Sequence, residues 1–228
     1  MTEQPSIVLV VDADVSIRDA LRGLIHSVGL SIEFFSSPLE FLQGKRPDTA
    51  SCLVLEARLP GKSGLDFQRE LAEANILIPI IFVTGYGDIR MSVRAMKAGA
   101  VDFLTKPFHD QELLDAIQVG LERDGARRQQ QAETAVLRER LELLTPRERA
   151  VLPLVVTGLL NKQIAAEIGT TEATVKVYRS QLMKKMEADS LPDLVRMAGK
   201  IGIPSPGDRL KAKRFKSNKP WVGSHLLK

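Results

Sequence analysis

Five short apolar runs, each followed by a stretch with helical spacing, constrain the first half of this chain more than anything else in it. They lie at 6–11, 31–35, 51–55, 79–83 and 101–104. An apolar run without polar alternation suits a strand buried on both faces, as in a parallel sheet. The intervening stretches predict helices over 15–28, a short one opening at Pro38, 65–74, a segment ending at Ala98, and 110–123. Strands alternating with helices give a doubly wound α/β domain with five parallel strands. Its ligand crevice belongs at the carboxyl ends of the strands. Those ends carry Asp12, Glu56, Thr84 and Lys106: two acids, a hydroxyl and an ammonium. No glycine-rich phosphate cradle follows the first strand, which argues against a nucleotide site.

The stretch 145–186 has a different grammar. Thr145-Pro146-Arg147-Glu148 is a capping box with proline at the first helical position. Gly158 breaks that helix, and Asn161 is the expected cap of a second, with Ile164, Ala165 and Ile168 on one face. Gly169 ends it, since glycine turns left-handed without steric cost. Thr171 caps a third helix with Val175, Leu182 and Met186 on its inner side. At about 100° per residue, Ala173, Lys176, Val177, Ser180 and Lys184 fall on the opposite side. Small and basic, that face suits entry into a DNA major groove. The plainer alternative is the solvated face of an ordinary helical hairpin.

Charge follows the same division. Residues 1–123 carry 12 Lys and Arg against 17 Asp and Glu, whereas 145–228 carry 16 against 7. An acidic front and a basic back point to a control module joined to a nucleic-acid binder. The one cysteine, Cys52, lies in an apolar run and reads as core; the 3 histidines are scattered. The start of the chain lacks the pattern of a signal peptide, and no apolar run approaches a membrane span, so the expectation is a cytoplasmic protein without membrane contact.

Two resemblances sharpen these readings. VDAD, LPGKSGLDF, TGYGD and MKAGAVDFLTKPF resemble the motifs of response-regulator receiver domains over about residues 5–123. LTPRERAVL, LLNKQIAAEIG, EATVKVYRSQLMKKM and SLPDLVRMAGKIGI resemble the LuxR/FixJ-type helix-turn-helix output domain. The first resemblance implies a flavodoxin-like receiver with Asp12 in the acidic pocket, Thr84 as switch hydroxyl, Lys106 as the family lysine and Phe103 as switch aromatic. It also implies a Lys106-Pro107 bond that is often cis. The second implies a small all-α domain that binds double-stranded promoter DNA. Lys176, Val177 and Ser180 would face bases, and Arg179 and Lys184 would lie near the backbone. Tyr178 replaces the usual histidine, and the helix 190–201 is similar to the family's dimerisation helix. The organisation expected is a receiver over 1–123, an output domain over 145–203 and, read from composition since neither resemblance covers them, a helical linker over 124–144 and a flexible basic tail over 204–228.

The departures carry as much as the matches. Glu56 stands where receivers carry the phosphoacceptor aspartate, and Ala13 where they carry a second acid. Glutamate projects its carboxylate about one methylene further, and a displacement of about 1 Å in an in-line transfer can cost on the order of 10²-fold. Without an acid at 13, a Mg²⁺ ion loses an oxygen ligand, so binding at Asp12 is expected to be weak or absent. The nearby Asp14 reads as a helix cap. The expectation is a degenerate receiver that escapes ordinary aspartyl phosphorylation. Glu56 either reaches Lys106 and Thr84 in imitation of a phosphoaspartate, or has drifted. The chain is then a non-enzymatic, homodimeric transcription regulator, paired through its receiver or the helix 190–201. The rivals are a conventional regulator phosphorylated by a histidine kinase, and an interaction protein that titrates a kinase or another regulator. The linker 124–144 reads as solvated.

Overall fold

A computed structural model of the protein describes residues 5–204, in two compact units that meet at Gln130 and Gln131. The basic tail expected at the carboxyl end falls, from residue 205 on, outside the described residues.

The first unit runs β1 (Ile7–Val11), α1 (Val15–Ser27), β2 (Ser31–Phe35), α2 (Pro38–Gln43), β3 (Ser51–Glu56), then a two-residue-a-side hairpin of β4 (Arg58–Leu59) and β5 (Lys62–Ser63). It continues with α3 (Gly64–Glu73), β6 (Ile80–Thr84), α4 (Ile89–Lys97), β7 (Asp102–Thr105) and α5 (Asp110–Glu142). The five long strands form one parallel sheet in the order β2-β1-β3-β6-β7. Side chains alternate across it. Val8, Val10, Cys52, Val54, Ile81 and Val83 pack with α1 and α5; Leu9, Val11, Leu53, Leu55 and Phe82 pack with α2, α3 and α4. Both faces are covered, which is why the strands read as unbroken apolar runs. The strand order reverses between β1 and β3, and that switch point opens the crevice at their carboxyl ends. Gly64 is needed there: a Cβ on it would lie 2.6 Å from the Glu56 carbonyl oxygen.

The helix expected over 110–123 and the helical linker expected after it form one unbroken helix, which continues to Glu142. The segment after 123 is also not simply solvated. Asp124 is 1% exposed, and its carboxylate accepts the Ser51 amide, 3.0 Å away, and the Nε of Arg128, 2.7 Å away. Arg127 pairs with it as well, and Arg128 reaches on to Asp48. Three polar residues at helical spacing thus dock the helix on the start of β3, where an apolar pattern would ordinarily be sought. One turn earlier Gly120 meets Cys52, with room for no Cβ. Burial, and secondarily Asp124, pushes the Cys52 thiol up to about 12, so it stays an inert core residue.

In the second unit the last turns of α5 precede α6 (Pro146–Val156), α7 (Asn161–Ile168), α8 (Glu172–Met186) and α9 (Leu191–Lys200). Leu144, Val151, Leu152, Val155, Ile164, Val175, Leu182, Met186, Leu194 and Ala198 make one core. Leu137 of α5 is buried too. The Thr145–Glu148 capping box forms in both directions, and Gly169 ends α7 at φ 68°. The expected cap of α7 shifts by one residue. Leu160 is the cap, its amide is taken by Gln163 at 2.8 Å, and Asn161 is the first helical residue, its side chain turned to α8. Arg140 donates to the Met186 carbonyl at 3.2 Å, which satisfies an orphan acceptor at the end of α8.

Candidate functional site

The crevice of the first unit is built from the ends of four strands. Asp12 follows β1, Glu56 and Thr84 end β3 and β6, and Lys106 follows β7. Lys106 is the hub. Its ammonium donates to Asp12 Oδ2 at 3.1 Å and to Glu56 Oε2 at 2.9 Å, and its side chain keeps 20% exposure. Burial by itself would lower its pKa. The hydrogen bond to Glu56 and the two carboxylate charges together outweigh that and hold it above the ordinary lysine value. The other carboxylate oxygens are also occupied. Asp12 Oδ1 accepts the Asp14 amide at 2.8 Å, and Glu56 Oε1 accepts the Arg58 amide at 3.1 Å.

Thr84 sits at the same rim, wholly buried, yet not in this network. Its hydroxyl accepts the Tyr86 amide at 3.3 Å, so Glu56 reaches Lys106 but not the hydroxyl. Asp14 is exposed and caps α1 through the Ser16 amide at 2.9 Å, turned to the helix rather than the crevice. Phe103 is half-buried, stacked obliquely on Phe82 with centroids 5.9 Å apart. The Lys106-Pro107 bond is cis.

A divalent cation of the kind receivers use needs several free, hard oxygen ligands in near-octahedral array. Here all four carboxylate oxygens already have donors, Lys106 occupies the space between the acids, and residue 13 is an exposed alanine. The residues present do not fit the ion.

The second unit presents a different surface. α8 starts at the Thr171 cap, whose hydroxyl accepts the Thr174 amide at 3.1 Å. Val175, Leu182 and Met186 are buried, which turns Lys176, Val177, Ser180 and Lys184 outward. Val177 is 57% exposed, an apolar side chain held in water on the same face. Lys176, Ser180 and Lys184 have no side-chain partner among the described residues. Arg179 is apart from this group, on the flank towards α7, where its guanidinium donates to Asn161 Oδ1 at 3.2 Å. The base of α8 is fixed by Lys185, which donates to the 5% exposed Glu148 at 2.7 Å. That bond from Lys185 holds the Glu148 carboxyl below its ordinary value.

Sequence reasoning missed the Arg58 amide, the Lys185–Glu148 pair, the Asn161–Arg179 bond and the Asp124 cluster. Only the last had a local signal: an acid with arginines three and four residues on.

Residues 8–118 match the family model described as response regulator receiver domain, and 142–198 match that of bacterial regulatory proteins, luxR family. The chain is 59% identical to Nodulation protein W of Bradyrhizobium diazoefficiens over 198 residues, 87% of each chain. It is 40% identical to the transcriptional regulatory protein FixJ of Azorhizobium caulinodans, over 87% of this chain and 94% of that one. The solved response regulator StyR superposes with a TM-score of 0.76 at 47% identity, covering 86% of this chain and all of that one. Among the described residues no helix is long and apolar enough to cross a membrane.

Proposed function

Because the chain belongs to the luxR-family response regulators, with a receiver domain ahead of a DNA-binding output domain, we propose that it is a dimeric regulator of transcription whose receiver works without ordinary aspartyl phosphorylation. It acts by binding rather than by turnover. On this reading residues 1–123 carry the receiver, 124–144 connect, and 145–203 form the output domain, with the connector sharing its first turns with the receiver. α8 enters the major groove, with Lys176, Val177 and Ser180 towards base edges and Arg179 and Lys184 towards the phosphate backbone. Pairing is supported by apolar surface on two elements: Ile89, Val93 and Met96 stand exposed along one side of α4, and Leu191 stands exposed on α9.

One observation carries the phosphorylation-independent reading: the Lys106 ammonium lies between Asp12 and Glu56 and donates to both. A phosphoryl donor entering this crevice meets a carboxylate already engaged through both oxygens, and no cation ligand at residue 13. Glu56 gives Lys106 a permanent anion, which is one of the two contacts a phosphoryl group would supply; the Thr84 hydroxyl remains with its own loop. Asp14, the one nearby acid that could replace the missing ligand, is committed to capping α1.

The test is labelling with radioactive acetyl phosphate and Mg²⁺. The unaltered chain takes up no label, Glu56→Asp alone little, and the Ala13→Asp/Glu56→Asp double variant approaches one phosphoryl group per chain. Stoichiometric labelling of the unaltered chain, abolished by Glu56→Gln, overturns the reading and leaves a conventional regulator driven by a histidine kinase.

A further inference from the structure

We infer that Asn161 is a positioning residue for DNA binding: its carboxamide holds the Arg179 guanidinium at the α7–α8 edge, aimed at one phosphate of the duplex. The inference rests on the proposal that α8 enters the major groove. It adds a residue from outside α8 that sets how a backbone contact is made.

The argument begins with where Arg179 points. Taking buried Val175 as the inner reference, Lys184 lies about 180° around the helix and Ser180 about 140°, whereas Arg179 lies about 40° away. Arg179 therefore cannot reach a base edge when Lys176, Val177 and Ser180 do. It lies on the flank, half-buried, at the start of α7. A long arginine there would ordinarily roam, with rotamer entropy to lose on any contact. The 3.2 Å bond to Asn161 Oδ1 removes much of that freedom beforehand.

The chemistry of the pair then fixes its ligand. Arginine has five N–H donors and no acceptor, so the Asn161 atom facing it must be the oxygen. The Asn161 amide nitrogen is thereby turned away with both its hydrogens, and it has no partner among the described residues. The rest of the guanidinium fork is likewise free: the Asn161 bond is its one side-chain hydrogen bond among the described residues. Next to them stands exposed Lys162. The free guanidinium N–H groups and neighbouring Lys162 offer donors and positive charge, so the group that suits them is an anion with several acceptor oxygens, as a backbone phosphate is. A neutral clamp matters here. Asparagine orients the guanidinium and leaves its charge uncompensated, whereas an acid would orient it and neutralise it.

That distinction makes the test. Full-length protein is titrated with a random-sequence duplex about two turns long, over a range of salt, by fluorescence anisotropy, and thermal unfolding is followed on the same samples. Arg179→Ala lowers the slope of log affinity against log salt by about 0.9, the loss of one phosphate contact. Asn161→Ala weakens binding about 3- to 10-fold, and the double variant is no weaker than Arg179→Ala alone. Asn161→Asp is decisive: it keeps the acceptor and the folding stability, yet weakens binding as much as Asn161→Ala does, because the carboxylate competes with the phosphate. If Asn161→Asp binds like the unaltered chain while Asn161→Ala is destabilised, the bond only ties α7 to α8 and the inference falls. Unchanged binding by Asn161→Ala overturns it too. If the unaltered chain shows no salt-dependent binding, it is the groove-binding reading that fails, and this inference with it.

Discussion

All four carboxylate oxygens in the crevice have a donor, while Lys176, Ser180 and Lys184 on the outer face of α8 have no partner among the described residues. The two regions use similar chemistry to opposite ends. In the crevice one ammonium is shared by two carboxylates at about 3 Å, which gives every carboxylate oxygen a donor and leaves a net negative charge that repels an anionic phosphoryl donor. On α8 the ammonium groups of Lys176 and Lys184 have no acid beside them among the described residues, and the release of counterions on meeting a polyanion is still available to drive binding. The lesson is that a motif's residue types do not declare its activity. A lysine facing two acids is a closed site, and a lysine facing nothing is an open one.

The comparison breaks most easily at α8. Replacing both Lys176 and Lys184 by alanine is expected to weaken duplex binding about 100-fold and to flatten the salt slope by about one contact, that of Lys184 with a phosphate, with thermal unfolding unchanged. Equal binding by this variant would mean the open charges are only a solvated surface.

A smaller effect tests whether the open face depends on a closed pair behind it. Glu148→Gln removes the acid that Lys185 answers and is expected to cost the second unit about 2 kcal/mol, read as a lower unfolding midpoint of that unit alone. The pH dependence has a definite sign. The Glu148 carboxyl is depressed in the folded state, so its stabilisation is present above the ordinary glutamate value of about 4.3 and is lost as pH falls through the folded one. The variant should therefore show a flatter acid limb.

Least in size is Glu56→Gln. Lys106 keeps part of its side chain in solvent, so the loss is about 1 kcal/mol after screening. Here the sign reverses. The lysine pKa is raised, so its stabilisation is complete below the ordinary value of about 10.4 and is lost only as pH rises through the folded one. Alkaline denaturation of the unaltered chain should therefore begin later than that of the variant.

How far the sequence carried these readings depended on whether the relevant forces were periodic. The strands were legible because burial on both faces leaves a continuous apolar run, and their ends fell within a residue or so of the observed ones. The helical character of 124–144 was legible but its docking was not, since 124–135 has no apolar period; the helix is held there through Asp124 and its arginines. The meeting of Asp12, Glu56 and Lys106 followed from their places at the carboxyl ends of parallel strands. The choice made by the Thr84 hydroxyl did not, because it depends on how the chain turns through Gly85 and Tyr86. Asparagine is a favoured helix cap, which is why Asn161 was read as one. Its contact with Arg179, 18 residues away, overrides that preference, and no local pattern announces it.

β3 is gripped at both ends, by Asp124 on its first amide and by Lys106 on its last side chain. The practical consequence concerns where the chain may be cut. A fragment ending at Arg123 matches the limits of the sheet, but begins its central strand with an uncapped amide and leaves Cys52 under a frayed helix end. A fragment carried through Arg128 brings its own clasp. For crystallising, labelling or swapping the front half of this regulator, those five extra residues separate a trimmed domain from a whole one.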